Sequence, residues 1–182
     1  MMNSNKNDKN VTGIGSREVT EKYKERVIEI AKLLDAAGYT LRSGGADGCD
    51  TLFEENMSRK KIYLPWKNFN KNKSRRYMIT PEAIALASEV HPAFQYLSQG
   101  AQKLHARNCY QVLGYKLNHP SEMVVCYTKD GCNSEASSTK RTGGTRTAIV
   151  IADRNNIPVY NLKNDADYET IKTKLNEEIK KV

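Results

Sequence analysis

Three glycine-centred turns constrain this chain most: GIGSR at 13–17, SGGADG at 43–48 and TGGTRT at 142–147. Each follows a short apolar run and precedes a stretch with helical spacing. In a parallel α/β sheet such strand-to-helix turns open at the carboxyl ends of the strands, where ligands bind. Glycine lets the backbone approach a ligand closely. The first amides of the following helix are unpaired donors at the positive end of the helix dipole, suited to phosphate. One such turn means little; three in register with a strand–helix rhythm point to a nucleotide or sugar-phosphate pocket.

The remaining pattern fits the same class. A first strand is expected at 10–14, followed by a helix over 19–37 in which Val27, Ile28, Ile30, Ala31, Leu33 and Leu34 recur at helical spacing and Gly38 closes the run. YTLRS at 39–43 and KIYLPW at 61–66 read as the second and third strands, with a helix carrying Leu52, Phe53 and Met57 between them. A helix at 81–90, another over 100–117, the apolar strand EMVVCYT at 122–128, expected in the centre of the sheet, a strand at 157–162 and a terminal helix at 166–181 complete the order. This alternation predicts an α/β fold: a Rossmann-like, doubly wound parallel sheet in three α/β/α layers, forming one domain over 10–182 behind a polar tail at 1–9. The stretch KDGCNSEASSTKR at 129–141 has no core-forming residue and is expected to be a mobile loop over the pocket.

Composition narrows the function classes. The 182 residues carry a formal net charge of +8, which favours an anionic partner. Many lysines, however, lie at the two ends and in 59–76, as on a solvated surface, so nucleic acid is an open but disfavoured partner. The four cysteines form no CxxC pair; reduced thiols in a cytoplasmic protein account for them, with no metal and no cofactor motif. No apolar run suits a membrane span or a signal-peptide core.

The candidate ligand-binding residues cluster at the turns. Gly13 and Gly15 shape the first, where Ser16 and Arg17 offer a hydroxyl and a guanidinium to a phosphate, the alternative being a tight turn with a surface arginine. Ser43, Gly44 and Gly45 form a backbone cradle. Asp47 and Asp50 either accept from ribose hydroxyls or cap the next helix. Arg107 shares a face with Lys103 and Gln111, a face that either reaches the ligand or is simply solvated. His91, His105 and Glu135 are titratable candidates, and Trp66 is a better base-stacking candidate than Tyr63 or Phe69.

On these residues the chain resembles the SLOG superfamily, the Rossmann-like group that contains the Lonely Guy phosphoribohydrolases and the DNA-processing protein A family. The M-H-x-R-K motif of the Lonely Guy-type enzymes aligns with Leu104, His105, Ala106, Arg107 and Asn108, and their P-G-G-x-G-T-x-x-E with Thr142, Gly143, Gly144, Thr145, Arg146, Thr147, Ala148, Ile149 and Val150. The resemblance implies that Arg107, Asn108 and residues 142–147 contribute to a phosphate site. The departures matter: the catalytic glutamate falls on Val150, the motif lysine on Asn108 and the second-turn glycine on Arg146. A valine can neither take a proton nor stabilise a ribosyl cation. The resemblance therefore implies a binding protein that senses or sequesters a phosphorylated, nucleotide-derived molecule such as an ADP-ribose-type or cyclic nucleotide signal without turnover, in a bacterial cytoplasm and, by analogy, as a phage-encoded anti-defence sponge. Two alternatives stand beside it: an N-glycosidase with Glu135, Asp47 or His105 in place of the missing glutamate, and a DNA-binding recombination mediator. Related folds commonly dimerise, and the helix at 100–117 is the expected interface.

Overall fold

The computed structural model describes residues 8–181. Five parallel strands form one sheet: β1 (Asn10–Gly15), β2 (Thr40–Ser43), β3 (Lys60–Ile62), β4 (Met123–Tyr127) and β5 (Val159–Asn161), in the order β3-β2-β1-β4-β5. The middle strand is β1, not the more apolar β4. The chain leaves β3 at one edge and crosses β1 to add β4 on its far side, so the winding direction reverses between β1 and β4. In doubly wound sheets that reversal opens a crevice at the carboxyl edge.

Six helices cover the sheet. On one face lie α1 (Glu21–Ala36), α2 (Cys49–Asn56) and α6 (Asp165–Lys180); on the other lie α3 (Pro81–Val90), α4 (Gln99–Leu113) and α5 (Arg146–Arg154). The period-2 alternation of β4 divides its side chains between the two layers. Met123, Val125 and Tyr127 pack with Val27, Leu34, Phe53 and Leu175, while Val124 and Cys126 pack with Ala106, Val112 and Ile149. Being buried on both faces explains why β4 reads as an unbroken apolar run. Local chemistry sets the helix ends: Thr80 and Ser98 accept hydrogen bonds from the amides of Ala83 and Ala101, and Pro81 opens α3.

Several boundaries differ from expectation. The third strand ends at Ile62; the Tyr63 amide still donates to the Ser43 carbonyl at 2.9 Å, and Tyr63 then bridges to Arg76 outside the sheet. Of the expected tail, residues 1–7 lie outside the described residues; the Lys9 carbonyl accepts from the Thr40 amide at 2.7 Å and already belongs to the sheet. The loop after β4 does contain a core residue, Cys132, which is buried among the α3–α4–α5 layer. All four cysteines are free and buried. Residues Ala106–Leu113 of α4 are all buried within the protomer, against α3, α5 and the sheet, so this half of the helix offers no outward face for the interface expected there. Among the described residues no helix is long and apolar enough to cross a membrane.

Candidate functional site

The turn after β1 is locked onto its neighbours. The Ser16 amide donates to the Tyr127 carbonyl at 2.9 Å and extends the β1–β4 ladder beyond the strand. The turn after β2 packs against it backbone to backbone. The Cys49 amide donates to the Ser16 carbonyl at 3.1 Å, and Gly48, at φ 78°, lies so close that an added Cβ would stand 2.3 Å from the Arg17 carbonyl oxygen. Asp50, at the start of α2, turns its carboxylate inward to accept from the Ala46 amide at 3.2 Å, close enough to the Gly44 and Gly15 amides for both to lower its pKa. Burial raises its pKa to about 6, and Arg107 offsets only part of that rise.

One face of α4 ties the second and third turns together. Arg107, 5% exposed, donates to Asn108 Oδ1 at 3.0 Å. Oriented to satisfy its neighbours, the Gln111 amide oxygen accepts from Arg107 Nη1 at 3.0 Å and from the Gly44 amide at 3.2 Å. Asn108 Nδ2 donates to the Gly144 carbonyl at 3.1 Å. Asn108 thus holds the third turn. Among the described residues Arg107 Nε has no hydrogen-bond partner and no carboxylate lies within ion-pair distance of the guanidinium. Desolvation lowers its pKa to about 10, leaving it charged at neutral pH.

The third turn is a 3-10 segment, Lys140–Thr145, running into α5. Its anchor is Asp130, whose carboxylate accepts from the hydroxyls of Thr128, Thr139 and Thr142 and from the Cys132 amide. Partial burial alone would raise this group, but the hydroxyl donors hold it at about 2. The loop from 129 to 141 is therefore pinned at its base. Gly143, at φ 66°, and Gly144 both face open space, with nothing within 4 Å of an added Cβ.

These three turns and α4 enclose a cavity of about 580 Å³ at the carboxyl edge, beside the β1/β4 switch. Of the residues singled out from sequence, Gly15, Ser16, Arg17, Asp50, Arg107, Asn108, Thr142, Gly143, Gly144 and Thr145 line it. The others lie elsewhere. Gly13 sits under Phe53 and Leu41, where a Cβ would meet them at 2.7–2.9 Å. The Ser43 hydroxyl is used on the Gly13 carbonyl, and Gly44 lies behind Arg107 and Gln111. Gly45 faces Leu64 and Asn72. Asp47 is exposed and accepts from Asn70. Trp66 lies beyond the cavity, edge-on to Phe69. Arg146 turns away to the Val90 carbonyl at 2.8 Å and the Ser138 hydroxyl, and Thr147 is buried against His105.

The substitute acids separate in the same way. Glu135 is held by a two-point contact with Arg154, and neither it nor Asp47 lines the cavity. Val150 is fully buried in the α5 core. His105 does line the cavity; burial, His91 and Arg107 lower its pKa to about 4, so its ring is neutral at physiological pH. His91 meets it edge-on, with ring centres 4.6 Å apart.

Sequence reasoning missed Gln111 as a site residue, although it stands one turn after Arg107 on the polar face already noted. It also missed Lys129, Lys140 and Arg141, which belong to a loop with no periodicity to place them. With Arg17 and Arg107 these make five cationic residues lining the cavity against one acidic side chain, Asp50. Lys129 shares its charge with Glu18 at 3.0 Å on the exposed rim. Among the described residues no group of three His, Cys, Asp or Glu side chains could hold a metal ion.

No family model matches the sequence, and no curated protein matches it. Among solved structures, the fold is similar to that of DNA processing protein A from Helicobacter pylori, described for its single-stranded DNA binding mode. The TM-score is 0.57 at 18% identity, over 94% of this chain and 80% of that one. This similarity supports the Rossmann-like fold.

Proposed function

We propose that the cavity binds a phosphate-bearing nucleotide unit and holds it without turnover. One observation carries this reading: Arg107, nine-tenths buried and charged, has only amide oxygens and a more distant Asp50 to balance it, and lies in a cavity lined by four further cations. Burying a guanidinium without an ion-pair partner costs free energy that an anionic ligand would recover. Phosphate suits the planar fork, and Gly143 and Gly144 leave a ligand room beside the third turn and the start of α5.

The nucleotide can be free or part of a strand. A free, nucleotide-derived molecule of the ADP-ribose or cyclic class fits the enclosed volume, which lies in the usual range for small-molecule pockets. Single-stranded DNA is the second reading, favoured by the cationic rim of Lys129, Lys140 and Arg141 and by the similar fold of a protein described for binding single-stranded DNA.

Purified protein equilibrated with AMP, ADP-ribose, cyclic ADP-ribose isomers, cyclic oligonucleotides and short single strands, then filtered and heat-denatured, tests both. Depletion followed by release of the same mass supports binding without turnover. Release of a free base or ribose phosphate overturns it and assigns hydrolysis, with Asp50→Asn as the variant to try, since Asp50 is the carboxyl that lines the cavity.

A further inference from the structure

We infer that the cavity is the end of a longer single-strand track that leaves past Phe69 and Trp66 and runs along the basic loop 67–76. This rests on the reading of the cavity as a nucleotide-phosphate site and names its partner as single-stranded nucleic acid. The connection begins at Arg107. Its guanidinium, which serves the cavity on one side, lies 5.7 Å from the centre of the Phe69 ring. Phe69 in turn meets Trp66 edge-on with ring centres 5.2 Å apart. Trp66 is 40% exposed and rests over the first turn of α4 at Gly100, where a Cβ would come within 3.7 Å of the indole. A part-exposed indole offers a π-face on which an unstacked base can stack.

The loop beyond Trp66 supplies charge. Lys67, Lys71, Lys73, Arg75 and Arg76 are all exposed, no acidic residue occurs between 67 and 81, and none of the five makes an ion pair among the described residues. Ordinary solvated surfaces intersperse both signs; this segment carries no acidic residue, and the carboxylates that reach it, Asp47 and Glu54, are held by Asn70 and Asn72. The loop is also fixed in shape. Asn68, Asn70 and Lys71 are held in the left-handed region, at φ 62°, 51° and 61°. Asn70 donates to the Gly45 carbonyl and Asn72 to Glu54, while the Leu64 amide donates to the Arg76 carbonyl at 2.7 Å. Left-handed conformations in residues other than glycine persist only where the surroundings hold them. A cationic strip of set geometry beside an exposed aromatic suits a strand that lays its phosphates on the loop and a base on the indole.

Trp66 is the only tryptophan in the chain, so its fluorescence reports this contact alone. Titration with an oligothymidylate of about a dozen nucleotides should quench Trp66, whereas thymidine monophosphate, filling the cavity, should leave the emission unchanged. In anisotropy with a labelled oligothymidylate, Trp66→Ala should weaken binding by roughly tenfold or more, with thymidine monophosphate binding unaltered. Replacing Lys71, Lys73 and Arg75 by glutamine should lower the salt slope by about 2, the value for three lost phosphate contacts on a single strand. Oligothymidylate binding with unquenched Trp66 emission, or with Trp66→Ala at wild-type affinity, overturns the track. Monophosphate binding without oligothymidylate binding overturns the track and keeps the nucleotide site; binding of neither overturns the track, and overturns the nucleotide site as well when AMP, ADP-ribose and the cyclic nucleotides also fail to bind.

Discussion

The first two glycine turns and the third look alike in sequence and behave as opposites in the fold. In the first pair the missing side chains are filled by protein: a Cβ at Gly15 would stand 2.4 Å from the Tyr127 carbonyl, one at Gly44 2.2 Å from Arg107 Nη1, and one at Gly48 2.3 Å from the Arg17 carbonyl. At Gly143 and Gly144 the same space is empty. Glycine thus does two jobs here. In the first two turns it allows chain to pack on chain, building a rigid floor on which Asp50 and Arg107 can be buried. In the third it leaves backbone open to whatever enters the cavity.

The largest test of this contrast is Gly48→Ala. A residue at φ 78° with a backbone oxygen in the way should lose about 3 kcal/mol, lowering the melting temperature by roughly 10 °C. A melt within about 2 °C of wild type would remove the argument that the second turn is a packed floor.

Next comes Arg107→Ala, which removes the cation that both turns position. Nucleotide affinity measured by calorimetry should fall by about 2–3 kcal/mol, roughly 30- to 160-fold, with Arg107→Lys intermediate because an ammonium lacks the fork. Unchanged affinity would place the ligand elsewhere.

Gly144→Ala should invert the Gly48 result. With open space around the position, the melting temperature should move by no more than the effect of about 0.5 kcal/mol, while ligand affinity drops roughly tenfold as the methyl enters the cavity. A stability loss with intact binding would make the third turn a scaffold like the others.

The smallest effect concerns pH. Burial raises Asp50 to about 6, above its unfolded value, so the folded state holds this proton more tightly than the unfolded chain does. Its contribution favours folding at low pH and is withdrawn as pH rises through 6. The same ionisation places a negative charge beside the phosphate site. Binding of an oligothymidylate, whose diester phosphates do not titrate in this range, should therefore tighten several-fold as pH falls from about 7 to about 5. Asp50→Asn should flatten that profile. His105, at about 4, stays neutral through the window.

Much of the architecture was legible because periodicity and glycine are local signals. Helix α3 coincides with its expected span, and the four long strand–helix alternations fall within a few residues of expectation. What was not legible depended on where side chains end up. Asp47 and Asp50 are equivalent in sequence, yet Asp50 turns into the turn amides while Asp47 faces solvent and Asn70. Arg141 and Arg146 flank the same turn; Arg141 lines the cavity because the Arg146 guanidinium is taken by the Val90 carbonyl of α3, a residue distant in sequence. The polar face of α4 looked the same whether solvated or buried, and only packing against the sheet made Arg107 and Gln111 interior residues.

The sequence by itself determined the winding: alternating apolar runs and helical periods, punctuated by glycine, commit a chain to a parallel sheet whose strand ends converge, because hydrophobic burial and φ/ψ freedom act over a few residues. Only the tertiary structure decided which glycines are filled and which are open, which aspartate is buried, and which arginine has no carboxylate within ion-pair reach among the described residues. Those outcomes depend on close packing and desolvation between segments far apart in the chain, and no local pattern encodes them.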